Sequence, residues 1–262
     1  MMYTNARKNT EETMKQTVGN LIKVLSIGNS FSNNAHTYLY DIAKAGGMDM
    51  IVANLYIGGC PLEKHWNNAL TDEKAYRYYK TGDEVKSASM KDALIEEEWD
   101  YITFQQQSGR SGLPDTYFPY LTHLVQYVKE FAPSAQHVMH QTWAYENGCD
   151  WEGFLNYDKN QIKMFESLKN AYFTAMEKVG IKTIIPVGEA FQIARTSDIG
   201  DNLCTSDKSH AGKNGCYLAG CVWYEVLTGH EVKNNTFIPE EVPAEQIHIL
   251  KSCAHEAVQR YK

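Results

Sequence analysis

Three side chains, far apart in the chain, supply the parts of a nucleophilic hydrolase. Ser30 stands in Val24-Leu25-Ser26-Ile27-Gly28-Asn29-Ser30-Phe31-Ser32, where an apolar run stops at a glycine and a serine follows two residues later. Asp207 and His210 stand together in Ser206-Asp207-Lys208-Ser209-His210. A serine hydroxyl is a poor nucleophile until an imidazole takes its proton, and a carboxylate fixes the tautomer and steadies the imidazolium. Asp207 and His210 are close enough for one turn to aim both side chains at the same point. No other aspartate in the chain has a histidine at that offset. Taken singly, Ser30 reads more readily as the cap of a following helix, and Asp207 as the cap of the one beginning near Lys213. Their order and their strand context together favour catalysis.

The apolar patterning describes a chain that returns repeatedly to one edge. Residues 21–27 read as a first strand, and Tyr38, Leu39, Ile42 and Ala43 predict a helix over 37–44 that exits at Gly46-Gly47. A second strand over 50–57 ends at Gly58-Gly59, and Pro61 opens a short helix to Leu70. Residues 76–87 read as a hairpin insertion around Gly82-Asp83, and Ser89 with Asp92 as a capping pair for a helix to Glu98. Third, fourth and fifth strands fall at 101–105, 137–142 and 181–187. Helices are expected over 118–131, 161–179 and 190–196, and again after Lys213 and after Pro243. Strands alternating with helices predict an α/β chain with a mostly parallel sheet covered on both faces. The candidate residues follow strands one to four, which sets them on one rim of that sheet, where open α/β sheets bind ligands.

A tetrahedral intermediate needs donors aimed at its oxyanion. The backbone N–H of Ser30 is one, and Gly59 is a second because glycine lets backbone approach a ligand closely. The run Gln105-Gln106-Gln107-Ser108 offers a third through the amide of Gln105 or Gln107. Asn29, Ser108, Thr142 and Trp143 are expected to line the substrate pocket. His36 and His65 lie near the same rim but read more simply as satisfied histidines, and Glu189 either lines the rim or favours a helix N-terminus. Trp66, Trp143, Tyr76, Tyr78 and Tyr79 are candidates for a sugar-stacking wall, though such aromatics are more often core.

The segment 27–32 resembles the first block of the SGNH (GDSL-like) hydrolases, Gly58-Gly59 their second, and Asp207-Lys208-Ser209-His210 the D-x-x-H of their last. With Trp99-Asp100-Tyr101-Ile102 and Gly215-Cys216-Tyr217-Leu218-Ala219, the pattern over residues 21–229 is similar to an uncharacterised bacterial branch of that superfamily. The resemblance implies a three-layer α/β/α, flavodoxin-like fold with a mostly parallel five-stranded sheet. It also implies a Ser30, Asp207, His210 triad and oxyanion donors at Ser30 and Gly59. Two departures stand out. Asn29 replaces the usual aspartate, and no asparagine stands in the third block, where an overlay puts Gly109.

Composition narrows the alternatives. A net charge of −7 and a pI near 5.7 oppose a nucleic-acid partner. Six cysteines without C-x-x-C spacing suit free thiols. No run approaches the roughly 20 apolar residues of a membrane span. Residues 1–20 form a polar leader without an apolar signal region, before one domain over 21–262. A cytoplasmic location is expected of the chain as it stands, a periplasmic or extracellular one if its N-terminus is trimmed. No G-x-S-x-G elbow, G-x-G-x-x-G, P-loop or H-E-x-x-H occurs, so no cofactor or metal is expected. The expected activity is hydrolysis of a small ester, an O-acyl group on a carbohydrate, through an acyl-enzyme. The alternative is a carbohydrate-binding protein on a decayed hydrolase fold.

Overall fold

The structure, a computed structural model, describes residues 21–262; the polar leader and the expectation about a signal region lie outside the described residues. In chain order the elements are β1 (Leu21–Gly28), α1 (Ser30–His36), α2 (Leu39–Ala45), β2 (Asp49–Tyr56), α3 (Leu62–Thr71), β3 (Tyr76–Lys80), β4 (Asp83–Ala88), α4 (Met90–Leu94) and β5 (Tyr101–Phe104). They continue with α5 (Tyr120–Phe131), β6 (Gln136–Gln141), α6 (Gln161–Val179), β7 (Thr183–Pro186), α7 (Val187–Arg195), α8 (Lys213–Thr228) and α9 (Ala244–Gln259).

The strands form one sheet in the order β4-β3-β2-β1-β5-β6-β7. From β2 to β7 every pairing is parallel. The chain leaves β1 toward β2, then returns past it to β5. That reversal is the switch point of a flavodoxin-like order, and a crevice opens there beyond the carboxyl ends of the strands. Ser30 begins α1 directly beyond the carboxyl end of β1.

Burial explains the strand composition. The last five residues of β1 are all buried, as in a strand covered on both faces, so an unbroken apolar run outweighs alternation. One layer packs α1, α2, α7, α8 and α9 together; the other packs α3, α4, α5 and α6. Within the first layer α8 is apolar almost all round, with Cys216, Leu218, Val222 and Trp223 among its buried residues. None of the six cysteines is paired, and all but Cys204 are buried.

Two expectations need correction, and one helix is additional. The sheet has seven strands rather than five, because the hairpin β3–β4 joins it antiparallel along β2. Tyr76 and Tyr78 point inward and are buried, and the outer strand β4 carries Asp83, Glu84 and Lys86 on an exposed edge. Charged edges of this kind resist pairing with another chain. The helix expected over 37–44 forms as α2, and a further helix, α1, precedes it, since Asn29 takes an extended conformation and its side chain accepts from Phe31 N, starting α1 at once. The capping box of Ser89 and Asp92 forms, yet α4 stops at Leu94. Glu96 and Glu97 beyond it pair with Lys80, Lys86 and Lys23.

Glu189 is buried, away from the solvent-facing rim. Its carboxylate accepts from Lys169 at 3.0 Å, Arg260 at 2.5 Å and Tyr261 at 3.1 Å, fastening the end of the chain to α7. Burial would raise its pKa, but the hydrogen bonds from Lys169 and Arg260 outweigh that and hold it below the ordinary carboxylate range. A depressed folded pKa contributes stability at neutral pH that is lost as pH falls through it. Glu189→Ala is therefore expected to lower unfolding stability by about 1–3 kcal/mol at pH 7 and by less in acid, read from urea melts at both pH values.

Candidate active site

The hydroxyl of Ser30 lies 2.9 Å from His210 Nε2, and His210 Nδ1 lies 2.5 Å from Asp207 Oδ2. The carboxylate fixes the tautomer: Nδ1–H donates to Asp207, so Nε2 presents its lone pair to the Ser30 hydroxyl. The second oxygen of Asp207 accepts from the backbone N–H of Ser209 and of His210 and from the Thr205 hydroxyl, each at 2.9 Å. Partial burial would raise the Asp207 pKa, but His210 and these donors hold it down at about 2. Neither Ser30 nor Asp207 is a helix cap here. Asn29 caps α1, and Gly212 precedes α8 without a side-chain cap.

The turn carrying Asp207 and His210 is closed by Thr205 N donating to His210 O at 2.8 Å, with Lys208 in the left-handed region at φ 61°. Glu146 anchors it from outside by accepting from Leu203 N at 2.8 Å and Cys204 N at 2.7 Å. Trp143 then ties the turn to the helix that carries Ser30. Its ring stacks on Phe31, the neighbour of Ser30, at 4.1 Å, and on Phe191 at 4.6 Å, while its Nε1 donates to Ser209 O at 2.9 Å.

The amide donors divide into two roles. Gln105 is buried and points inward: its Oε1 accepts from Ser32 and His140, and its Nε2 donates to Asn29 Oδ1 at 2.8 Å. It braces the nucleophile turn and is not available to an oxyanion. Gln106 receives both Leu62 N and Gln107 N on Oε1, which joins the loop after β2 to the loop after β5. Gln107 accepts from Arg110 N through Oε1, and its Nε2 has no partner among the described residues. Gln107 and Gly59 line one hollow of about 430 Å³ with Arg110, Glu152 and Asn156. Gly59 has φ 60°, and its N–H, like that of Ser30, is not engaged by another described group. Asn29 Nδ2 reaches Cys60 O at 3.3 Å, so the Ser30 and Gly59 loops are bonded side by side.

The residues expected to line a pocket are packed inside. Asn29 is a buried cap and brace. Ser108 is bonded to Tyr145 at 2.6 Å, and Thr142 and Trp143 are fully buried, Thr142 against the Tyr172 hydroxyl. No sugar-stacking wall forms from the five aromatics considered. Tyr76, Tyr78 and Trp143 are core, Trp66 packs on His123, and Tyr79 packs on Tyr56. His65 is wholly buried and His36 partly so, and desolvation pushes each down to about 3, so neither carries charge at neutral pH. Four residues, Trp151, Arg110, Glu152 and Asn156, escaped the sequence reading. Trp151 is exposed, with its ring 5.4 Å from that of His210, and Arg110, Glu152 and Asn156 border the hollow. The available signal was a large aromatic in the polar stretch Asn147-Gly148-Cys149-Asp150-Trp151-Glu152-Gly153.

Residues 23–257 match a domain family described as a domain of unknown function, DUF4886. The chain belongs to that family. A crystal structure of a DUF4886 family protein from Bacteroides uniformis is 42% identical, covers 91% of this chain and 95% of its own, and superposes with a TM-score of 0.88. A protein from Slackia heliotrinireducens named for the SGNH hydrolases is 23% identical over 79% of this chain and 99% of its own, with a TM-score of 0.56. An acetylxylan esterase from Geobacillus stearothermophilus is 12% identical over 79% and 94%, with a TM-score of 0.53. No curated protein sequence matches. The DUF4886 chain thus has the fold of the SGNH hydrolases.

Trp143→Phe keeps an aromatic ring between Phe31 and Phe191, at the cost of some packing volume, and removes the bond to Ser209 O. The expected result is a folded protein in which Ser30 reacts roughly tenfold more slowly with a fluorophosphonate, as follows when the base is held less firmly. A labelling rate equal to that of the parent chain would remove Trp143 from the alignment of the site.

Proposed function

We propose that this chain hydrolyses a short-chain O-acyl ester of a carbohydrate through an acyl-enzyme. The observation that carries the reading is the continuous relay from Ser30 to His210 to Asp207 at 2.9 and 2.5 Å. Ser30 attacks the ester carbonyl as His210 takes its proton, and Asp207 stabilises the imidazolium. The N–H groups of Ser30 and Gly59 and the amide of Gln107 face the developing oxyanion. His210 returns the proton to the departing alcohol, and water then repeats the cycle to release the acid.

The substrate class rests on the hollow beside the site. Gln107, Arg110, Glu152 and Asn156 present hydrogen-bonding side chains of both signs, which suits hydroxyls and offers no trough for a long acyl chain. The likeness in fold to a protein named as an acetylxylan esterase is in keeping with this. A second reading, a sugar-binding protein without turnover, draws on the missing third-block asparagine. Covalent labelling of Ser30 by a fluorophosphonate separates the two, since only an armed nucleophile reacts.

Ser30→Ala is expected to keep its melting temperature and to lose at least about 10³-fold in the hydrolysis of a short-chain aryl acetate. Undiminished turnover would end the assignment. Gln107→Ala is expected to lower kcat by tens- to hundreds-fold with little change in KM, because its amide acts on the transition state. An unchanged kcat would leave an oxyanion hole of two backbone donors.

A further inference from the structure

Four of the five tryptophans, Trp66, Trp99, Trp143 and Trp223, are partly or wholly buried, whereas Trp151 is 41% exposed. Leaving so large an apolar ring in water forgoes burial that folding would otherwise reward. The loop that bears it is fastened by other groups. Gly109 and Gly153 meet so closely that a Cβ on Gly109 would lie 2.9 Å from Gly153 Cα. Asn156 and Tyr157 both donate to Gly109 O, at 3.0 and 3.1 Å. The ring is held out at the mouth of the site, edge-on to His210 with an interplanar angle of 70°.

Proton bookkeeping then decides which half of an ester meets this ring. His210 must return the proton from Nε2 to the alcohol oxygen, so the alcohol lies on the imidazole side of the reacting carbon. The carbonyl oxygen lies on the other side, toward the free N–H groups of Ser30 and Gly59. Trp151, packed on the imidazole, therefore flanks the alcohol and not the acyl group. The next residue along its loop, Glu152, lines the hollow with Arg110 and Asn156, an acid, a base and an amide without a dominant charge. A pyranose has a C–H face that packs on an aromatic ring and hydroxyls at its edge that suit such groups.

Resting on the hydrolase reading above, we propose that Trp151 is the stacking platform for the sugar alcohol of a neutral O-acylated glycoside, with Arg110, Glu152 and Asn156 taking its hydroxyls. The site therefore selects esters by their alcohol and accepts only a small acyl group.

The test is binding by Ser30→Ala protein, followed by titration calorimetry with mono-O-acetylated methyl xyloside, glucoside and galactoside. At least one is expected to bind, to lose at least about tenfold in affinity when Trp151→Ala is added, and to recover with Trp151→Tyr. In the catalytically intact chain, the ratio of kcat/KM for that glycoside over methyl acetate is expected to fall by a similar factor in Trp151→Ala. Equal affinity with and without the ring, no binding of any of the three, or an unchanged ratio would overturn the proposal. Fluorophosphonate labelling of Ser30 keeps the two readings apart. Labelling together with Trp151-independent binding refutes the platform alone, and Trp151-dependent binding without labelling refutes hydrolysis alone.

Discussion

The contact between Ser30 Oγ and His210 Nε2 joins positions 180 residues apart, and the rest of the site is organised around keeping it at 2.9 Å. Neither side chain sets that distance by itself. Ser30 is carried by α1, which starts where Asn29 caps it, and His210 is carried by a turn folded around the Asp207 carboxylate. Trp143 spans the two, sandwiched between Phe31 and Phe191 and bonded to the turn through Ser209. Stacked rings in a close-packed interior resist small displacements, so the spacing is maintained by packing and not by the hydrogen bond alone.

Polar groups behind Ser30 extend the same constraint. Gln105 bridges Ser32, Asn29 and His140, and His140 is neutral because burial, together with the nearby His36, pushes it down to about 3. A neutral His140 donates from Nδ1 to Gln105 Oε1, which orients the amide so that its N–H faces Asn29. In this chain the glutamine nearest the end of β5 is therefore a brace, and the side chain left facing the hollow is that of Gln107, two residues further along. A buried amide that must satisfy three neighbours has no freedom to follow a reacting ligand.

The sheet serves this arrangement from a distance. Parallel strands buried on both faces give a stiff platform, and the reversal at β1 opens a crevice where the loops after β1, β2 and β5 meet. The hairpin β3–β4 covers what would be the exposed edge of β2 and ends in a charged strand. The opposite flank is closed by Glu189, which receives Lys169, Arg260 and Tyr261 and so pins the end of the chain.

Local chemistry determined much of this protein. Apolar runs ending at glycines, the Ser89–Asp92 capping box and the Asp207–His210 spacing each involve neighbours in the chain, so their outcome was legible in residue order alone. The α/β alternation likewise placed Ser30, Gly59, the glutamines and Trp143 at the ends of strands. Only the tertiary structure decided which way those side chains face. It turned Thr142, Trp143 and Gln105 inward, left Gln107 and Trp151 outward, and docked the hairpin as two further strands of the sheet. The physical reason is that a strand end specifies where a residue stands, whereas its direction and partners depend on contacts with segments tens of residues or more away in the chain, which no local pattern encodes.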